Sequence, residues 1–367
     1  MVGFLLAIEG FGQIGPMFPG PGNSVAGGSP NGYNHRATFT FNAYPASALT
    51  DFPNLILGTY SQLADLAHGG YVNNTVTLNG QTVPADLIFT SDSAGNALLS
   101  WEIESWNNAT GAIVAWVKFS RTTSDDVIYA FVGKASVTTY QCTATATWSG
   151  YKGVWHLPNG TALTANDSTG NATGWSLVGS PAPVAGRMDG AGKIWRGAGV
   201  DNYINLGADT AVNITGYSPI SVECWVQRNN SAAFGTLFNF SSGGGSGYAF
   251  SLQNSTTLGF TIWGVGGMSI GNLPQDTNWH HVVAVSDGST YKVYVDGVAT
   301  TPTHAAMGIN SYTGSPSIGA ADPSSLNNTY NVDEMRVSSA SPTADWIAQE
   351  YRQQSQASAW YTVGSWN

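Results

Sequence analysis

The chain has 367 residues, of which 9% are charged and 12% aromatic, with 45 glycines. Twelve basic against 22 acidic residues give a formal net charge of −10; phosphate backbones and anionic membrane surfaces are repelled, so nucleic acid is excluded as a natural partner. So little charge, with so many Ser, Thr, Asn and Gly, excludes both disorder and long solvent-exposed helices, and leaves an all-β architecture of about two domains.

Residues 2–8 form an apolar run with no basic residue before it and Glu9 directly after. That reads as neither a secretory signal nor a membrane anchor, being too short to cross a bilayer. The chain then stays Gly/Pro/Asn-rich to residue 34, as at Pro16, Pro19 and Pro21. Residues 1–34 therefore read as an arm without its own core, suited to docking on neighbouring subunits of an oligomer.

From His35 the pattern turns strand-like. Residues 37–41 alternate, 75–78 lead into the hairpin signal Asn79-Gly80, and 113–119 and 127–133 are further strands. In 220–226, Ile220, Val222, Cys224 and Val226 share one face, so Cys224 reads as a small buried hydrophobe. A bridge to Cys142 stays open, because spacing alone cannot position the sulfurs. Residues 291–295 alternate up to the turn Asp296-Gly297, and the one clear helix falls near 343–352.

The order of motifs carries a resemblance. Leu49 to Pro53, Asp86 to Thr90, and the Ile-Glu-Ser-Trp core at 103–106 with its following Trp-Val-Lys strand resemble a domain family of unknown function, DUF2341, over residues 35–148. This family commonly precedes a laminin-G-like domain in bacterial, archaeal and phage proteins. Then come Val154-Trp155-His156-Leu157, Asp167-Ser168-Thr169-Gly170-Asn171, Trp279-His280-His281 and Val332-Asp333-Glu334-Met335-Arg336-Val337. In that order they resemble the laminin-G-like, concanavalin-type jelly roll over residues 149–352. The expectation is two β-sandwich domains, with 353–367 as a C-terminal tail.

Candidate chemistry is sparse. Glu102 and Glu104 share one strand face, the spacing of a glycosidase acid and nucleophile. They lie outside the jelly roll, however, in a family with no assigned catalysis, and Glu223 has no second carboxylate beside it. His280 and His281 point to opposite faces of a strand and cannot chelate one ion together, so one reads as packed and the other as surface; His156 reads as a packed strand residue. What the resemblance implies is a structural calcium on Asp167 and Asp333, its shell completed by Asn159, Asn171 and backbone carbonyls. The alternative is that both aspartates hydrogen-bond to loop N–H groups. Trp175, Trp195 and Trp263, in Gly/Asn-rich surroundings, are the candidates for stacking on a sugar ring.

The resulting expectation is a non-catalytic structural or adhesion protein with a lectin-like domain. A bacteriophage virion component (tail fibre, tail tip or capsid decoration) fits a chain without a recognisable secretion signal. It would bind host surface polysaccharide or neighbouring virion proteins, without membrane insertion. A cellular surface or secreted carbohydrate-binding protein is the alternative, and a glycoside hydrolase lacks its carboxylate pair.

Overall fold

The computed structural model describes residues 31–158, 161–197, 200–229, 235–241, 245–254, 256–300, 303–319, 329–356 and 359–367. Residues 1–30 of the Gly/Pro-rich arm, and Asn159, lie outside them. The chain is nearly all β, and its paired strands are antiparallel.

The first domain is two sheets around one core. His35–Phe41 pairs with Asp126–Val132, which pairs with Ile88–Thr90. Ala37, Phe39 and Phe41 alternate inward as their period requires. The second sheet is Leu49–Thr59, Ala112–Arg121 and Ser100–Asn107. Its inner residues Phe52, Ile56, Ala115 and Val117 meet the first sheet. The hairpin Thr75–Leu78/Gln81–Pro84 turns at Asn79 (φ 49°) and Gly80 (φ 82°), the left-handed pair such a two-residue turn demands.

The second domain is a jelly roll. One sheet runs through Gly190–Gly197, Thr329–Ser338, Ile220–Arg228, Trp279–Ser286 and Thr290–Val295. The other runs through Gly266–Asn272, Thr257–Ile262, Gly247–Leu252, Gly235–Ser241, Ser317–Ile318 and Val200–Asn205. Pairing of 190–197 with 200–205 joins the two sheets at one edge. Val222, Cys224, Val226, Phe238, Phe250 and Phe260 fill the space between them. Cys224 is buried there with a free thiol, and Cys142 is also free. Asp296 (φ 52°) and Gly297 (φ 77°) form the expected hairpin.

The domains stack face to face. The second sheet of the first domain turns its other face, with Leu55, Val114 and Trp116, onto Trp148, Val154 and Met188. Helix Ala344–Ser355, capped by the Thr343 hydroxyl, clamps the same junction. Gln353 accepts from the Leu55 amide (2.8 Å) and donates to Pro53 O (2.9 Å), closing the free edge of strand Leu49–Thr59. Trp225 Nε1, in the jelly roll, donates to Gln354.

After the helix the chain is not a free tail. Trp360 and Tyr361 enter the core of the first domain, and Thr362–Val363 pairs with Thr40 and Phe39 as an edge strand. The sequence expectation of a separate 353–367 segment missed this return, because the strand is two residues long and carries no periodic signal.

Candidate functional site

Two β-bulges build the most unusual place in the molecule. In strand Ser100–Asn107 the register shifts between Ile103 and Ser105. The extra residue lets Trp101, Ile103 and Trp106 all face the first domain's core, while Glu102 and Glu104 face the jelly roll. In strand Thr329–Ser338 the register shifts opposite Cys224, and Glu334 takes φ 52°. Val332, Met335 and Val337 therefore stay in the jelly-roll core, while Asp333, Glu334 and Arg336 all reach the junction. A left-handed non-glycine residue costs on the order of 1–3 kcal/mol, which surrounding contacts must offset.

His156, just past strand Tyr151–Trp155, lies between these bulges. Its Nδ1 is 2.8 Å from Glu334 Oε1 and 3.4 Å from Glu104 Oε2, and its Nε2 is 3.2 Å from Glu102 Oε2. Burial alone would lower its pKa, but Glu334 and Glu102 raise it to about 10. Glu102 also accepts from Ser168 Oγ (2.6 Å) and Trp148 Nε1 (2.5 Å), and Glu104 Oε2 accepts from Trp116 Nε1 (2.7 Å).

Arg336 is the second cation. It donates to Glu334 Oε2 at 2.6 Å and lies 3.4 Å from Glu223 and 3.6 Å from Glu350. Its guanidinium centre sits 4.4 Å from the Trp116 ring centre and 4.8 Å from that of Trp148, a double cation–π contact. Burial pushes the Glu334 carboxyl up, but His156 and Arg336 outweigh it and hold it below the usual carboxylate range. Glu104, Glu334 and His156 place ligand-type atoms within 4.8 Å of one another. The imidazolium and Arg336 already neutralise Glu334, so this trio is an ion-pair network.

A cavity of about 270 Å³ opens beside the network, lined among others by Glu102, Tyr140, Cys142, His156, Asn166 and Ser168. At neutral pH the imidazolium has no vacant nitrogen to act as base, and Glu102 is occupied by three donors.

The residues singled out in the sequence are dispersed. Asp167 accepts at Oδ1 from the amides of Val154 and Thr169, and at Oδ2 from Thr169 Oγ1, Asn171 N and Ala172 N. With five donors on it, few lone pairs remain for an ion. Asn171 Nδ2 donates to Lys152 O. Asp333 belongs instead to the junction, where its Oδ2 accepts from Arg187 N (2.6 Å) and Met188 N (3.2 Å). Trp175 is partly buried against the jelly-roll core, with Nε1 on Asn166 Oδ1. Trp195 donates to Ser180 O, and Trp263 is half-buried at the end of strand Thr257–Ile262.

His280 and His281 do face opposite ways, yet both are buried. His280 bridges Asp296 (2.7 Å) and Asp276 (3.0 Å), and His281 is packed against Trp225 under the junction. The expected surface histidine is missing because the first domain and helix cover that face. His156 and Arg336 were not singled out as a network. The available signal was the spacing of three charged residues within Asp333–Arg336, which no regular strand can place on one face.

Residues 197–348 match the laminin-G-type family model described as the concanavalin A-like lectin/glucanases superfamily. The second domain is thus concanavalin A-like in sequence as well as in architecture. No curated protein matches the chain. Among solved structures, the binding domain of Paraclostridial Mosquitocidal Protein 1 is similar at 12% identity and TM-score 0.46, over 56% of this chain and 52% of that one. The binding domain of Botulinum neurotoxin DC, solved with rat synaptotagmin II, is similar at 14% identity and TM-score 0.46, over 56% and 52%. A structure of botulinum neurotoxin type C, described as dependent on two ganglioside molecules for cell entry, is similar at 14% identity and TM-score 0.45, over 56% and 51%. The chain spans about half the length of each of these structures. Among the described residues no helix is long and apolar enough to cross a membrane.

Proposed function

We propose that this protein binds a neutral glycan without turning it over, on the outer face of the sheet turned away from the first domain. One observation carries the reading. Across that sheet the positions facing away from the core are, in register, Asn205, Ser317, Asn239, Ala249, Thr261 and Gly267, with Ser251 and Gly259 in the next row; Ser317, Asn239, Ala249 and Gly259 are covered, and Asn205, Ser251, Thr261 and Gly267 are the accessible ones. Their neighbours Ile204, Phe238, Phe250 and Phe260 face inward. Amides and hydroxyls match the donors and acceptors of a polyol, and none of these positions supplies the two carboxylates that glycoside hydrolysis needs.

In its finer form the proposal makes the protein a bacteriophage virion component, with the Gly/Pro-rich arm contacting neighbouring subunits of a homo-oligomer. The resemblance read from the sequence over residues 35–148, to a family of bacterial, archaeal and phage proteins, is compatible with this setting. A cellular surface or secreted protein is the alternative setting. The test is to pass purified protein over immobilised neutral bacterial polysaccharides, following retention and reducing-end release together. Retention that is nearly independent of salt, without release, and lost on Asn205→Ala or Thr261→Ala, is the expected result. Release that disappears on Glu102→Gln would overturn it.

A further inference from the structure

The junction holds another cavity, of about 360 Å³, where the first domain, the jelly roll and the terminal helix meet. Asp51 and Lys118 reach it from the first domain, Ser221 and Glu223 from the jelly roll, and Trp346 and Glu350 from the helix. Its volume lies in the range of small-molecule sites.

Two carboxyls make its acidic wall, and a single cation serves both. Arg336 Nη1 lies 3.4 Å from Glu223 Oε1 and 3.6 Å from Glu350 Oε1, while its Nη2 is committed to Glu334 at 2.6 Å. Tyr151 Oη donates to Glu350 Oε1 at 3.2 Å. Glu350 Oε2 has no donor at all, although the residue is 0% exposed. Glu223 Oε2 has His281 Nε2 at 3.9 Å, but burial and Arg336 lower the pKa of that imidazole to about 3, so it brings no charge. At the rim Lys118 Nζ donates to Ser149 Oγ at 2.7 Å, and Asp51 adds a third carboxyl. A buried carboxylate oxygen without a donor is costly, and the wall as a whole is short of positive charge.

A primary ammonium has the charge and the three donors that this wall lacks. The rest of the cavity selects what carries it. Hydroxyls of Thr50, Thr147, Ser149, Ser221 and Ser341 line the space, and Thr147 Oγ1 is itself buried without a partner. The Trp346 ring, held by an edge contact with Phe52 at 4.8 Å, adds apolar surface. Hydroxyls both donate and accept, as those of a polyol do, whereas the methylene stem of a lysine would leave them unmatched. We propose that this cavity binds an amino sugar with a free amine, its ammonium between Glu223 and Glu350 and its hydroxyls on the serines and threonines. The ammonium takes the place of the proton that burial and the neighbouring Glu223 otherwise favour on Glu350. The site is separate from the outer sheet and does not rest on the neutral-glycan reading.

The experiment titrates the full chain by calorimetry at pH 6.5, where such an amine is protonated. The probes are glucosamine, N-acetylglucosamine, which keeps the ring but loses the charge, and Nα-acetyl-lysine amide, which keeps the charge but loses the ring. Glucosamine should bind more tightly than either by about tenfold or more. Glu350→Gln and Glu223→Gln should each weaken it by about tenfold or more, while Glu350→Gln leaves retention on neutral polysaccharide unchanged. No binding of glucosamine to the wild-type chain, or binding equal to that of N-acetylglucosamine, would overturn the proposal whatever the variants do. Binding of the lysine derivative as tight as that of glucosamine would also overturn it, and assign the cavity to a protein side chain. Loss of polysaccharide retention in Glu350→Gln would count against a separate site.

Discussion

The two outer faces of the jelly roll start from the same rule and end differently. On both sheets strand alternation sends apolar side chains inward and polar ones outward. Under the first domain the outward set is Glu223, Trp225, His281, Asp333 and Arg336, all buried. On the opposite sheet it is Asn205, Asn239, Ser251, Thr261 and Ser317, none of them charged; Asn239 and Ser317 are buried, and the other three are partly exposed. The difference teaches where a charge-poor chain places its charges. A covered face can use them, because a low-dielectric setting strengthens each pair, but it also penalises every group left unmatched.

The sharpest way to break that comparison is Arg336→Met. It leaves Glu334, Glu223 and Glu350 without their common cation, and a loss of about 3–5 kcal/mol in urea denaturation is expected. Thr261→Ala on the open face should stay within about 0.5 kcal/mol of wild type. Equal effects from the two substitutions would mean that the covered face is not the more demanding one.

Next in size is Trp360→Ala. Trp360 is 2% exposed, and the Arg121 guanidinium lies 4.8 Å from its ring. Truncation should cost about 3 kcal/mol, read by the same denaturation. A negligible loss would show that the C-terminal return does not hold the first domain.

Protonation sharpens the comparison further. Burial alone would lower the pKa of His280, but Asp296 and Asp276 outweigh it and raise it. A raised histidine contributes stability fully below its unfolded value of 6.5, and that contribution is lost as pH rises through the folded value. His280→Gln should flatten this part of the stability–pH curve. A slope unchanged in the variant would place the titration elsewhere.

The smallest effect belongs to Asp209, which burial raises to about 6. Its neutral form is favoured by folding, so its contribution is present below the unfolded value of 3.8 and lost as pH rises through about 6. Asp209→Asn should stabilise the protein by about 1 kcal/mol at pH 8 and by nothing at pH 4. A gain of equal size at both pH values would point to packing instead of charge.

The sequence by itself determined the strands, the two Asx-Gly hairpins, the terminal helix and the concanavalin-like identity of the second domain. The strands and hairpins rest on period-two alternation and on left-handed turn positions, which are local properties of the chain, whereas the concanavalin-like identity rests on the resemblance carried by the ordered motifs. The alternation at Ala37–Phe41 and at Ile220–Val226 needs no partner to be read. It also placed Glu102 and Glu104 on one strand face, but not what that face would meet. Only the tertiary structure decided that His156 and Glu334, far apart in the chain, would close on those glutamates, with Arg336 beside them. It alone returned Trp360 to the first domain and buried His281. The reason is physical: a bulge shifts register by one residue and reverses every later side chain, and a charge reads as solvent-exposed until another domain covers it.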